Sequence, residues 1–250
     1  MSAELSNNSL INKKVIFEAN AFRRVPIHLG AKIDFLPDGT LLLTSGDGFD
    51  YKEQAQSLNN HFGKIIRLNK DGSVPSDNPF VDIPNALPEI FSYGHRNMQG
   101  LVVMEDGRIF EHEHGPRGGD EFNLIEPGKN YGWPAITYGI DYSGAVISPF
   151  TKMDGMEQPL KYWVPSIAPS DMIYYDGDLY PELKNSFLVT ALKSRDVKKI
   201  KKINSLFSEE SIFSNLKSRL RSIGISPSGE MYLLTDGRKG KILKVIITKI

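Results

Sequence analysis

The chain has 250 residues, 40% of them hydrophobic, enough to bury the core of one large all-β domain or two small ones. Thirty basic residues against thirty acidic ones give a formal net charge of zero, which excludes a global field drawing the chain to nucleic acid or anionic lipid. The absence of cysteine excludes disulfides, thiolate nucleophiles and Cys-ligated metals, and no apolar run approaches the roughly 20 residues that cross a bilayer.

Residues 1–14, MSAELSNNSLINKK, have no apolar signal core and are expected to be poorly ordered. Beyond them, short apolar or alternating runs punctuated by Gly, Pro, Asp and Asn predict strands. One unit recurs: IDFLPDGTLLLTSGD at Ile33 to Asp47, LVVMEDGRIFEHEHG at Leu101 to Gly115, and IGISPSGEMYLLTDG at Ile223 to Gly237. Each reads as strand, glycine turn, strand and polar loop. A looser copy starts at Met172, so Gly39, Gly107, Gly177 and Gly229 mark a period of roughly 50 to 70 residues, that of a propeller blade with loop insertions. Lys198 to Lys202 reads as a strand with its lysines on an exposed face, and Ser205 to Ser218 as a helix-leaning excursion. The expectation is a single all-β domain over residues 1–250, an incomplete six-bladed-type β-propeller of about four to five blades. An irregular β-sandwich with chance likeness between hairpins is the alternative.

The stretch Phe91 to Pro134 packs Arg, Asn, His, Asp, Glu and Trp between glycines more densely than folding alone requires. His95-Arg96-Asn97 follows a strand-like run and a glycine, the usual setting for chemistry on a β scaffold. Glu113 to Glu121 sets acidic and imidazole groups around glycines that let backbone carbonyls approach a ligand or cation.

From about Val15 onward the chain resembles the soluble pyrroloquinoline-quinone-dependent aldose sugar dehydrogenases, the glucose/sorbosone dehydrogenase family. The resemblance is carried by HLGAKIDF, TSGDG, NNHFGKIIRLNKDGSVPSDNPF, YGHRNMQGL, EHGPRGGDEFNLIEPGKNYGWP, WVPSIAPS and RLR, in order along the chain. It implies a six-bladed propeller that oxidises the C1 hydroxyl of aldoses to lactones by hydride transfer to pyrroloquinoline quinone. It also implies a sugar substrate, an external electron acceptor and calcium as second cofactor.

In that resemblance His28 is the general base, a task suited to an imidazole near neutral pH, and Asp47 orients it. Arg96 and Asn97 face the quinone's reactive carbonyl, where a fixed cation and amide stabilise developing negative charge. Lys193, Arg219 and Arg221 meet the cofactor's carboxylates. The two arginines, two residues apart in a strand-like stretch, share a face. Trp133 and Trp163 are candidate walls for the planar quinone, with core packing as the alternative for each. The carbonyls of Gly115 and Pro116 hold the calcium beside the quinone. Glu121, the Tyr131 carbonyl and Asp141 hold a second calcium away from the chemistry. Turn capping is the plain reading of Asp120 and Glu121, and His61, His112 and His114 are expected to hydrogen-bond within loops. Ser45 lacks the strand-to-helix elbow of a hydrolase nucleophile.

Family members carry a further stretch ahead of the part matching Val15, usually behind an export signal. The chain is therefore read as a fragment, as a natural truncation with an open propeller, or as one whose ring another chain completes, and its open faces favour association, a homodimer included. The resemblance implies a periplasmic or secreted protein; as written the chain has no signal peptide and would stay in the cytoplasm. Ala31-Lys32, where the family often has Gly-Arg, bears on substrate preference. Two other functions compete: a propeller binding module that has lost catalysis, and a calcium-dependent lactonase-like hydrolase.

Overall fold

The computed structural model of the protein describes residues 1–204 and 206–246. Among the described residues, seventeen strands are ordered along the chain. A hairpin of β1 (Ser2–Ser6) and β2 (Ser9–Lys14) precedes the first four-stranded sheet, β3 (Gly30–Phe35), β4 (Leu41–Ser45), β5 (Lys64–Leu68) and β6 (Ile90–Tyr93). The second sheet holds β7 (Met98–Val103), β8 (Ile109–Glu113), β9 (Asp120–Ile125) and β10 (Lys161–Trp163). The third holds β11 (Pro169–Tyr175), β12 (Ser186–Ala191), β13 (Val197–Ile203) and β14 (Leu206–Ile212). The last has three strands, β15 (Leu220–Ile225), β16 (Met231–Thr235) and β17 (Ile242–Lys244). Each sheet is an antiparallel meander in chain order, and the first strands pack side by side as β3, β7, β11 and β15. This is the blade arrangement of an incomplete, open propeller.

Period-two alternation makes the blades stack. In β8, Ile109 joins the core between the first and second sheets with Leu42, Ile65, Met98 and Ile125, while its neighbour Phe110 joins the next core with Phe122, Phe187 and Ile200. In β12, Phe187 serves that core and Leu188 the following one, with Leu220, Met231 and Leu233. Successive side chains of one strand thus feed two cores, each shared with an adjacent blade. Phe122 is wholly buried, and Phe122→Ala should cost about 3–5 kcal/mol. At the two ends of the arc this stacking stops, leaving Ile33 and Phe35 on β3, and Leu234 and Ile242 on the last sheet, exposed.

Three of the four expected turn glycines close the same hairpin. Gly39, Gly107 and Gly229 have φ of 83°, 84° and 84°, and each N–H donates to the carbonyl three residues back. This left-handed geometry is one glycine adopts without steric cost. Gly177 differs: it lies in the long connection from β11 to β12 that includes the short 3₁₀ turn Pro181–Leu183. Three further expectations change. Residues 2–14, expected to be poorly ordered, pair as the β1–β2 hairpin, all of it exposed. The helix-leaning segment is strand β14 followed by a 3₁₀ turn at Ser214–Leu216, because Phe207 seats against the second core and the strand completes a blade; Ser205 lies outside the described residues. Lys198 in β13 faces inward, its Nζ donating to Asp196 at 2.7 Å and to Ser211 Oγ at 2.7 Å, so only part of that lysine run is solvated.

Candidate active site

The loop after β4 carries the first group of site residues. Gly46 has no room for a side chain, since a Cβ there would stand 2.2 Å from the His28 carbonyl oxygen, and this close approach brings the His28 segment against Asp47. His28 and Phe49 both hold left-handed backbone, φ 51° and 68°, a strained conformation for residues with side chains that the surrounding structure imposes. His28 Nδ1 lies 2.7 Å from Asp47 Oδ1, which also accepts the Phe49 N–H at 2.9 Å. Asp47 Oδ2 accepts from the Trp133 indole at 2.8 Å. The carboxylate is 1% exposed, and with three donors on its two oxygens it stays an acceptor. It therefore fixes the proton on His28 Nδ1 and leaves the Nε2 lone pair as the basic atom. Phe49 meets the imidazole edge-on at 5.1 Å.

Arg96 joins this group through the backbone, its carbonyl accepting the Asp47 N–H at 2.7 Å. Its guanidinium NH1 donates to the carbonyls of His114 and Gly115, each at 2.9 Å, and lies over the Trp133 ring at 5.1 Å. The side chain is buried, its Nε has no partner, and among the described residues it forms no ion pair. A buried guanidinium with no ion-paired carboxylate is a ready site for an oxyanion or polarised carbonyl. Asp47, Phe49, Arg96, Pro116, Trp133 and Tyr142 are among the walls of a cavity of about 230 Å³. Asn97 is buried beside Arg96; its Oδ1 accepts from Gln99 at 3.0 Å, leaving the amide N–H₂ as the group it can offer.

The glycine-rich loop from His114 to Asp120 is held by Asp120, which is fully buried. One carboxylate oxygen accepts the Gly115 N–H at 2.9 Å, and the other accepts from Ser166 Oγ and from the N–H groups of Ile167 and Ala168 at 2.7–3.0 Å. The HGPRGGD and WVPSIAPS segments are thereby tied together, which is loop hydrogen bonding as expected of Asp120. Gly115 and Pro116 lie at the cavity, Gly115 through its carbonyl's bond from Arg96 and Pro116 as part of the wall.

Behind the loop, β8 and β9 set Glu113 opposite Glu121 and Glu111 opposite Asn123. Burial pushes Glu113 up to about 8, opposed by the N–H and charge of Arg96, and burial next to Glu113 pushes Glu111 and Glu121 well above the usual carboxylate range. Burial likewise holds His95 and His112 neutral, down to about 3 each.

The other expected residues occupy varied surroundings. Arg219 and Arg221 do share a face, and both grip Asp236 at 2.9–3.1 Å. Lys193 is exposed in a hollow with Tyr162, Trp163, Val164 and Ser166. Trp163 is 6% exposed, donates to Glu209 at 2.8 Å and belongs to the core with Phe110 and Phe187, so the tryptophan beside the histidine is Trp133. Asp141 lies in the cavity wall, its Oδ1 capping Ser143 at 2.8 Å, whereas half-buried Glu121 lies opposite Glu113 on the carboxylate face and Tyr131 is buried with its ring on His95. His61 bonds the Asn20 N–H and Glu89, and His114 bonds the Pro169 carbonyl, as expected; His112 instead sits inside strand β8.

Sequence reasoning missed Arg23, whose guanidinium donates to Ser45 Oγ at 3.0 Å and the Gly46 carbonyl at 2.7 Å and so braces the Asp47 loop. It also missed Phe49 and Tyr142, stacked at 6.4 Å above the site. The GFD following SGD was the only sign of the former, and nothing local marked Arg23.

Residues 1–244 match the family described as Glucose / Sorbosone dehydrogenase. Aldose sugar dehydrogenase YliI of Escherichia coli is 38% identical over 242 residues, covering 93% of this chain and 65% of that protein. A crystal structure of a glucose dehydrogenase superposes with a TM-score of 0.94 at 41% identity, covering 98% of this chain and 72% of that one. The PQQ-bound aldose sugar dehydrogenase of Streptomyces coelicolor superposes with a TM-score of 0.73 at 27% identity, covering 96% and 68% of the two chains. The chain spans 62–65% of the length of the curated relatives it matches.

Proposed function

The chain belongs to the glucose/sorbosone dehydrogenase family, a family of sugar-oxidising enzymes, and from that premise we propose that its site oxidises the C1 hydroxyl of an aldose to the lactone with pyrroloquinoline quinone as hydride acceptor. The observation that carries the reading is the His28–Asp47 pair, braced by Trp133 and set beside the unpaired guanidinium of Arg96.

His28 Nε2 takes the proton of the C1 hydroxyl. Asp47 holds the imidazole in the tautomer that makes this possible and stabilises the imidazolium that results. The quinone, when bound, supplies the two-electron acceptor for the hydride leaving C1, so proton and hydride together account for the oxidation. Arg96, with Nε unpartnered, and the Asn97 amide fit a quinone carbonyl, where they oppose the charge that develops on oxygen. Gly115's carbonyl retains a second lone pair beyond its bond to Arg96, which with Pro116 suits an oxygen-seeking calcium ion. Arg219 and Arg221 fit the quinone's carboxylates while sharing Asp236, with Lys193 as a third cation. Glu121 and the Tyr131 carbonyl, with Asp141, are proposed for a second calcium.

The test is dye reduction by the protein supplied with calcium, quinone and a panel of aldoses, alongside His28→Ala. Turnover lost by at least about 10³-fold in the variant, with quinone still bound, is the expected result. Failure of every aldose to reduce the dye would sink the proposal, and lactone hydrolysis without added quinone would point to a hydrolase instead.

A further inference from the structure

The geometry points to a structural metal site formed by His95, Glu111 and Glu113 and taking a divalent transition ion such as Zn²⁺ or Mn²⁺. One ligand atom from each of His95, Glu111 and Glu113 lies within 4.8 Å of the others, and all three residues are buried. Metal–ligand bonds of about 2.0–2.2 Å set donor atoms roughly 3–4.5 Å apart, so little contraction completes the shell.

The donors are also unclaimed. His95 Nδ1 and Glu111 Oε1 have no hydrogen-bond partner although both side chains are completely shielded, and Asn123 Oδ1, on a residue 1% exposed, has none either. His95 Nδ1 stands 3.4 Å from Glu113 Oε2 without forming a hydrogen bond. Among the described residues neither Glu111 nor Glu113 is paired with a lysine or arginine; Glu113 receives only the Arg96 backbone N–H at 3.0 Å, and Glu111 only the Asn123 amide at 3.2 Å. Two carboxylates buried side by side with no ion-paired lysine or arginine are costly, and one divalent ion offsets that cost while satisfying the orphaned His95 Nδ1 and Glu111 Oε1.

The surroundings match a ligating imidazole. His95 Nε2 is held at 2.9 Å by Ser92 Oγ, the outer hydrogen bond that orients a metal-bound histidine, and the Tyr131 ring stacks on it at 4.7 Å. An imidazole nitrogen among carboxylate oxygens favours Zn²⁺ or Mn²⁺ over Ca²⁺, which prefers oxygen alone. An ion here would fix the Glu113 carboxylate that holds the Arg96 backbone, tying the cavity wall to the β8–β9 hairpin.

The chain, stripped with chelator and free of quinone, is titrated calorimetrically with Zn²⁺, Mn²⁺ and Ca²⁺ separately. One equivalent of Zn²⁺ or Mn²⁺ should bind at least ~100-fold more tightly than Ca²⁺. Glu111→Gln should weaken that step by at least ~100-fold, and Glu105→Gln, at an exposed carboxylate in the β7–β8 turn, should leave it within about threefold. Weak, non-stoichiometric uptake, a Glu111→Gln-sensitive step that prefers Ca²⁺, or loss in Glu105→Gln but not Glu111→Gln each overturns the proposal. Mn²⁺ bound to the unmodified chain gives a check that survives misfolding of a variant: its magnetic resonance spectrum should show one coupled imidazole nitrogen, and an all-oxygen signature refutes the site.

Discussion

Lys32 on β3 bonds Asp171 on β11 at 2.6 Å, joining first strands that have β7 between them in the blade order. The second oxygen of Asp171 accepts from Ser222 Oγ and the Ile223 N–H of β15, so one carboxylate links three of the four blades. Among the described residues the sheets do not close into a ring, and such a tie limits splaying of the arc. Lys32, read from sequence as bearing on substrate preference, also braces two blades.

Asp171→Asn should lower stability by about 1–3 kcal/mol, because both a part-buried ammonium and a serine hydroxyl lose an ionised acceptor. Lys32→Met alone should cost less, since the serine and backbone bonds to Asp171 remain. Urea midpoints of the two single variants and the double variant measure the coupling; strict additivity would show that the pair contributes nothing.

Trp133→Phe removes the indole donor from Asp47 Oδ2 while keeping an aromatic surface under Arg96. Turnover should fall roughly 10-fold with little change in KM, because the carboxylate is left one donor short and holds His28 less firmly. Asp47→Asn should be more severe, by about 10³-fold or more, since an amide can donate to Nδ1 and force the tautomer that has no base at Nε2. Steady-state kinetics of both variants decide; equal effects would mean Trp133 acts by packing alone.

Gly46→Ala places a methyl where the His28 carbonyl oxygen stands 2.2 Å away. The His28 segment must shift, and a displacement of about 1 Å at a catalytic group can cost about 10²-fold in rate. The blades do not depend on that contact, so circular dichroism should be unchanged while turnover drops by about that factor. An active Gly46→Ala enzyme would show that His28 is not held where the chemistry occurs.

The repeat was legible because hairpin chemistry is local: PDG, EDG and PSG announce Gly39, Gly107 and Gly229 without reference to the rest of the fold. Gly177 misled because its own DGD resembles them while the chain runs on to a longer connection. The segment after Ser205 misled for the opposite reason, its Ser and Glu content suiting a helix until pairing with β13 and burial of Phe207 decide for a strand. His28 and Asp47 were found through the family likeness, since 19 residues of separation carry no periodic signal. Trp163 could not be told from Trp133 by composition, because one sits over Glu209 in a core and the other over Asp47 at the cavity only through blade packing. The His95, Glu111 and Glu113 cluster depends on which face of β8 points inward, and that is set by register rather than by spacing.

His112, on the opposite face of β8 from Glu111 and Glu113, is buried against Gly100 and Met172, and burial lowers it from the ordinary 6.5 to about 3, helped by the charge of nearby His114 and Lys32. The folded chain therefore binds fewer protons than the unfolded chain between pH 6.5 and 3. Its contribution to stability is complete above 6.5 and is lost progressively as the pH falls through that window. At pH 4.5 the loss from this residue is on the order of 2–3 kcal/mol relative to pH 7.5. His112→Leu removes the linkage, so its urea midpoint should fall less than that of the parent chain between those two pH values, whatever offset the substitution introduces at pH 7.5. The carboxylates of β8 and β9 titrate in both proteins and cancel in the comparison. Parallel pH profiles would show that His112 takes up its proton in the folded chain as readily as in water.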